Sequence, residues 1–133
     1  MTPLQLARLI GQAAADKKAR EVVRLDLREQ TSIADYFVIC EGDTDRQVRA
    51  ITDSILDATR KLGLRPLRTS GYEDGSWVVL DFASVIVHVF LPGERAYYDL
   101  ETLWRPRQQA APSGGASAKG KPSVKRPARR KSA

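Results

Sequence analysis

The 133-residue chain has few thiol or imidazole side chains with which to bind a metal or form a cross-link: one cysteine and one histidine. The lone Cys40 cannot close an intramolecular disulfide, which fits a reducing cytosol. The lone His88 excludes a multi-histidine zinc site. No apolar run is long and continuous enough to span a bilayer as a helix. The N-terminus, from Met1 to Arg8, lacks the charged, apolar and cleavage regions of a signal peptide. The expectation is a cytoplasmic chain with no membrane partner. A Gly-x-x-x-x-Gly-Lys-Ser/Thr phosphate loop is absent as well.

Acidic residues are missing from one end. From Arg105 to Ala133 there are nine Lys or Arg and no Asp or Glu, so residues 1–104 hold 13 of the 22 cations and all 16 acids. The net charge of +6 therefore divides into a mildly acidic body, −3, and a basic appendage, +9. That partition argues against a nucleic-acid site built into the body and suits docking on a basic protein. Residues 105–133 are rich in Ala, Gly, Ser, Pro, Lys and Arg, with Val124 as the one sizeable apolar side chain. They cannot bury enough surface to offset the entropy of ordering, so a disordered tail is expected, with residues 1–104 as the single domain. The tail lacks interleaved aromatics, so its expected role is at most an electrostatic tether to nucleic acid, or solubilisation.

The body is organised around residues 75–91, Gly-Ser-Trp-Val-Val-Leu-Asp-Phe-Ala-Ser-Val-Ile-Val-His-Val-Phe-Leu. β-Branched and aromatic residues broken at 81–84 read as two antiparallel strands with a tight turn at Ala83-Ser84. A two-residue turn pairs Phe82 with Val85, Leu80 with Val87 and Val78 with Val89 on one face. Asp81 with Ile86, Val79 with His88 and Trp77 with Phe90 fall on the other. The first face is apolar and is expected to form the core. The second, with Trp77, Asp81 and His88, is expected to look outward.

Elsewhere, Thr2-Pro3-Leu4-Gln5 reads as a capping box opening a helix to about Lys18, with Leu6, Leu9, Ile10 and Ala13 at helical spacing. Residues 22–27 alternate as a strand with one wet face, and Asp35 to Cys40 reads as a central strand. Thr44 and Gln47 open a second helix carrying Val48, Ile51, Ile55, Leu56, Ala58 and Leu62, stopped by Gly63. Residues 64–69 contain Pro66, which places that strand at or near an edge. Residues 94–104 form a short closing helix. The order predicts an α/β fold: a mixed sheet of about five strands, two amphipathic helices on one face and a short C-terminal helix.

No catalytic constellation stands out. His88 and Asp81 share a face and lie diagonally across the ribbon, but an acid/base pair also needs a nucleophile or metal, and Cys40 is expected inside a strand. Asp26, Asp35 and Asp81 could be read as a magnesium site for phosphoryl transfer; solvated strand ends explain them more simply. Trp77, Tyr97, Tyr98 and Trp104 surround the hairpin and the closing helix. Capping of the core edge accounts for some of these; the rest, Trp77 first, have the residue type and setting of an interface.

Three blocks together resemble the ribosomal silencing factor family (RsfS, or Iojap). They are Ala34-Asp35-Tyr36-Phe37-Val38-Ile39 with Gly42, Arg46-Gln47-Val48 and Ala50-Ile51; Trp77 to Phe82 with Val85 to Phe90; and Arg95, Tyr97-Tyr98, Leu100-Glu101 and Leu103-Trp104. The resemblance covers roughly residues 3–104. Ser70 stands where members usually carry Glu, and Ala83-Ser84 where they carry Gly-Asp. The resemblance implies a nucleotidyltransferase-like fold without the catalytic loop or carboxylates, hence no enzyme activity and no cofactor. It also implies binding to the fourteenth protein of the large ribosomal subunit, obstruction of subunit joining and repression of translation when nutrients are scarce. Organellar relatives act in large-subunit assembly, and several members are homodimers. The contact residues expected on this chain are Trp77, Val79, Asp81, His88, Glu94, Arg95, Tyr97, Tyr98 and Asp99. The tail is the candidate for a contact with ribosomal RNA.

Overall fold

A computed structural model describes residues 1–103. The side chains of Tyr97 and Tyr98, together with Trp104 and the basic segment expected to be disordered, lie outside the described residues. The elements are α1 (Pro3–Asp16), β1 (Arg20–Asp26), β2 (Tyr36–Glu41), α2 (Asp45–Arg60), β3 (Arg68–Ser70), β4 (Trp77–Asp81), β5 (Val85–Phe90), α3 (Pro92–Tyr98) and α4 (Leu100–Leu103). None of the described helices is long and apolar enough to cross a membrane.

The five strands form one sheet in the order β1-β2-β5-β4-β3. Only β2 and β5 run parallel; the other neighbours are antiparallel, so the sheet is mixed. The hairpin register is the expected one: Trp77 opposes Phe90, Val78 opposes Val89, Val79 opposes His88, Leu80 opposes Val87 and Asp81 opposes Ile86. Its turn is closed by Phe82 N–H donating to Val85 O at 2.9 Å. β3 is an edge strand, as Pro66 suggests, but shorter than residues 64–69.

Both long helices lie on one face. Val78, Leu80, Phe82, Val85, Val87 and Val89 are buried in a single cluster with Leu6 and Ile10 of α1 and Val48, Ile51 and Ile55 of α2. Alternation along the strands supplies one apolar face, and the helical stripes cover it. Thr2 and Gln5 complete the expected capping box at α1. At α2 the box is displaced: Thr44 Oγ1 accepts from Gln47 N–H at 3.1 Å, but Gln47 Oε1 accepts from Asp43 N–H rather than from Thr44. The Gln47 amide instead reaches the carbonyl of Lys18 at 3.2 Å, tying α2 to the end of α1. Gly63 terminates α2 at φ +77°, a left-handed position that glycine adopts without steric cost.

The expected closing helix is broken. Asp99 takes φ +44° and separates α3 from α4. The second face of the sheet carries its own small core of Leu27, Ala34, Phe37, Ile39 and Phe90, onto which Leu25, Trp77, Ile86 and Leu100 pack. This face is thus less open than alternation alone implies.

Candidate functional site

The expected contact residues divide into a surface group and a buried group. On β4, Trp77, Val79 and Asp81 are half-buried and share the second face. Glu94 is half-buried on α3 and Asp99 is exposed at its end. The Trp77 ring stacks on Phe90, with centroids 5.0 Å apart and planes at 26°. Its underside is therefore fixed by packing, a rigid anchor of the kind that dominates binding interfaces.

His88 departs from the outward reading: it is 6% exposed. Its ring meets Phe37 edge-on at 4.6 Å and lies parallel to Phe90 at 6.0 Å. Nδ1 accepts a hydrogen bond from Trp77 Nε1 at 3.1 Å, while Nε2 is buried without a hydrogen-bond partner. Desolvation lowers its pKa to about 4, so the ring is neutral at physiological pH. Alternation correctly puts His88 on the second face, but the aromatic side chains there bury it. It supports Trp77 from below and does not form a hydrogen-bonded pair with Asp81. Asp81 Oδ1 instead accepts from Ala83 N–H at 2.8 Å, closing the hairpin turn around an alanine held at φ +71°.

Arg95 also departs from a surface role, being 8% exposed. Its Nε and Nη2 make a two-pronged contact with Glu101 at 2.8 Å each. Nη1 reaches Glu41 Oε1 at 3.1 Å and the Glu21 carbonyl at 2.7 Å. Burial lowers its pKa, but the Glu101 and Glu41 carboxylates outweigh that effect and leave it raised. The guanidinium thus joins α3 and α4 to the ends of β1 and β2. The register of β1 shifts between Arg20 and Val23, with Glu21 at φ +51°; this bulge turns out the carbonyl that Arg95 takes. Glu41, which also binds Arg20 at 3.0 Å, and Glu101 are functional-site supports that the sequence reading missed. A signal was present: Arg95 is the sole cation between Arg68 and Arg105, set among Glu94, Asp99 and Glu101.

Two of the three candidate carboxylates for phosphoryl transfer, Asp26 and Asp81, have local partners. Asp26 is held by Arg28 through two side-chain contacts at 2.9 and 2.7 Å, chiefly through which its pKa is lowered. Asp81 caps its own turn. No group of three His, Cys, Asp or Glu among the described residues is arranged to hold a metal ion. Burial pushes the Cys40 thiol up to about 12, so it is a core side chain, not a ready nucleophile.

The profile of a family described as "Ribosomal silencing factor during starvation" matches residues 1–133. The chain is 42% identical over 104 residues to the ribosomal silencing factor RsfS of Halalkalibacterium halodurans, covering 78% of this chain and 89% of that one. A crystal structure of a Chromobacterium violaceum protein aligns with a TM-score of 0.76 at 32% identity, over 90% of this chain and 92% of the other. A more distant mouse relative, 29% identical over 68% of this chain and 41% of its own, is named mitochondrial assembly of ribosomal large subunit protein 1. With the family profile matching residues 1–133 and an identity of 42% over 104 residues to one member, the chain belongs to the ribosomal silencing factor family.

Proposed function

We propose that this chain binds the large ribosomal subunit through its fourteenth protein and, by occupying that place, keeps the small subunit from joining. The observation that carries the reading is the family match along the whole chain; a relative named for assembly of a ribosomal large subunit points to the same particle. The mechanism is steric and needs no catalysis. Trp77 is the apolar anchor, braced by Phe90 and His88. Val79 extends the apolar contact, and Asp81, Glu94 and Asp99 face the lysines and arginines of a basic partner. Tyr97 and Tyr98 are further proposed contact residues. Arg95 and His88 act through the residues they hold in place. The nine cations of residues 105–133 contact ribosomal RNA, and the free protein is a cytoplasmic homodimer.

Sedimentation with isolated large and small subunits tests this. The protein should follow the large subunit and lower the yield of joined ribosomes. Trp77→Ala should weaken that association by ~2 kcal/mol or more, while removal of residues 106–133 should leave most of it. A correctly folded Trp77→Ala variant that sediments as strongly as the parent overturns the assignment of the anchor. Tight magnesium-dependent nucleotide binding would favour an enzyme instead.

A further inference from the structure

The described fold ends on the sheet face that carries Trp77. Leu100 of α4 and Trp77 pack onto the same small core, and thirty residues, 104–133, follow Leu103. Residues 71–103 include β4, β5, α3 and α4. They hold six acids, Glu73, Asp74, Asp81, Glu94, Asp99 and Glu101, against Arg95 alone, a net −5. The nine cations of residues 105–133 come directly after them. Two of the six acids already face cations of the body: Glu101 binds Arg95, and Asp81 has Arg68 opposite it on β3. Among the described residues Glu73, Asp74, Glu94 and Asp99 form no ion pair. Glu94 is half-buried and the other three are exposed. The loop holding Glu73 and Asp74 meets the start of α3, where Leu91 N–H donates to Ser76 O at 2.9 Å. The four carboxylates thus gather about one end of the hairpin, the end where Trp77 opposes Phe90.

We propose that the basic segment 105–133 docks in cis on these acids, with Glu94 and Asp99 as its main contacts, and so covers the approach to Trp77 in the free chain. Charge complementarity selects the occupant, and the covalent link selects this segment over a separate basic protein. Arg105 and Arg107 follow Leu103 by two and four residues, so chain length alone holds them within ~14 Å of it. Leu103 N–H in turn donates to Asp99 O at 3.3 Å. The other cations begin at Lys119, after roughly 50 Å of extensible chain, enough to reach Glu94 and the loop acids. Tethering gives the segment a local concentration on the order of millimolar, at which weak exposed ion pairs suffice. The α1–α2 groove, with Asp16, Asp53 and Asp57, is a poorer site. Lys17 and Lys61 also line it, Arg60 takes Asp57 and Tyr72 Oη donates to Asp53. It also lies on the helix side of the sheet, while α4 leads the chain out on the other. Nucleic acid carries a denser line of charge than four carboxylates and draws the segment off them. On the ribosomal reading, on which this consequence rests, the acids open to the basic partner only where RNA is at hand.

Carbodiimide cross-linking of the full chain at low salt, with equal amounts of isotopically light and heavy protein mixed and re-equilibrated, tests the proposal by mass spectrometry. Lys119, Lys121, Lys125 and Lys131 should link to Glu94 and Asp99 several-fold more than to Asp16 or Asp53, and each link should join residues of one isotope. Adding oligouridylate, or raising the salt, should cut the yield about fivefold or more. A second measurement leaves the folded body unaltered: with the nine cations of 105–133 replaced by Gln, amide NMR shifts should move in α3, α4 and the loop before β4, and not along α1. The proposal is overturned if those lysines link chiefly to Asp16, Asp53 and Asp57, if light-to-heavy links appear at the frequency of random pairing, or if the Gln variant leaves the α3 amides unmoved. No ribosome enters these readouts. A chain that binds the large subunit but lacks the links defeats this inference alone, whereas links in a chain that ignores the subunit support it and defeat only the ribosomal reading.

Discussion

Trp77 Nε1 donates to His88 Nδ1 at 3.1 Å, diagonally across the β4–β5 hairpin. The contact fixes the imidazole tautomer: Nδ1 accepts, so the proton sits on Nε2, which is buried without a partner. The imidazole can accept from Trp77 only while Nδ1 is unprotonated.

A pH dependence follows. The His88 pKa is lowered to about 4 by burial, from an ordinary value of 6.5. The unfolded chain therefore takes up the proton first as pH falls. Stability is full above pH 6.5, declines as pH drops toward 4, and levels off once both states are protonated. The loss is on the order of 3 kcal/mol. Urea unfolding at pH 7, 5.5 and 4 should show this slope in the parent and a flatter one in His88→Phe, which fills the site without titrating. Equal slopes in the two proteins would remove His88 as the cause.

Arg95 predicts a strong but reparable defect. Arg95→Met leaves the Glu41 carboxylate, 8% exposed, with Arg20 alone, and leaves the Glu21 carbonyl without its side-chain donor. Breaking a buried pair in this way costs about 3–5 kcal/mol. Adding Glu41→Met should restore part of that, because the stranded charge is gone. Large-subunit affinity should not recover in the double variant, since α3 and α4 remain untied. Thermal unfolding and subunit sedimentation of the four proteins in the cycle separate these effects; additive losses in stability would show that the two residues do not act as a pair.

Much of this was legible in the residues, and the reason differs from place to place. The hairpin register could be read because a two-residue turn leaves one way to put Val78, Leu80, Val85, Val87 and Val89 on a single face. The helices could be read from their caps and from 3.6-residue periodicity. Alternation assigns His88 to a face but carries no information about what later covers that face; Phe37, Phe90 and Trp77 do so, and the first two are far apart in the chain. The burial of Arg95 is hidden from the sequence for a related reason. A cation in a short amphipathic segment is ordinarily solvated, and only the convergence of β1, β2 and α4 makes a buried site for one. The break at Asp99 gave no advance sign, because a non-glycine residue at positive φ is uncommon.

The loop before β4 should respond sharply to a single methyl group. Gly71 has φ +83°, and a Cβ there would stand 2.0 Å from the Trp77 carbonyl oxygen. Backbone cannot yield as a flexible side chain can, so Gly71→Ala must displace the start of β4 and the Trp77 anchor with it. Gly63 has a similar φ of +77° but open space around it, so Gly63→Ala should cost only the conformational strain, about 1 kcal/mol. Melting curves should therefore rank Gly71→Ala well below Gly63→Ala, and Trp77 fluorescence should shift in the first alone. Similar melting losses for the two would mean that the loop adjusts freely.

Asp81 permits the turn and the docking surface to be told apart. Its Oδ1 accepts from Ala83 N–H, and an asparagine oxygen can do the same; its negative charge serves a basic partner, which asparagine cannot. Asp81→Ala removes both and should lower stability by about 1 kcal/mol. Asp81→Asn should keep the turn, with a melting temperature close to that of the parent, yet bind the large subunit more weakly and with a shallower dependence on salt. Unchanged binding and unchanged salt dependence in Asp81→Asn would confine Asp81 to the turn and leave the acidic side of the interface to Glu94 and Asp99.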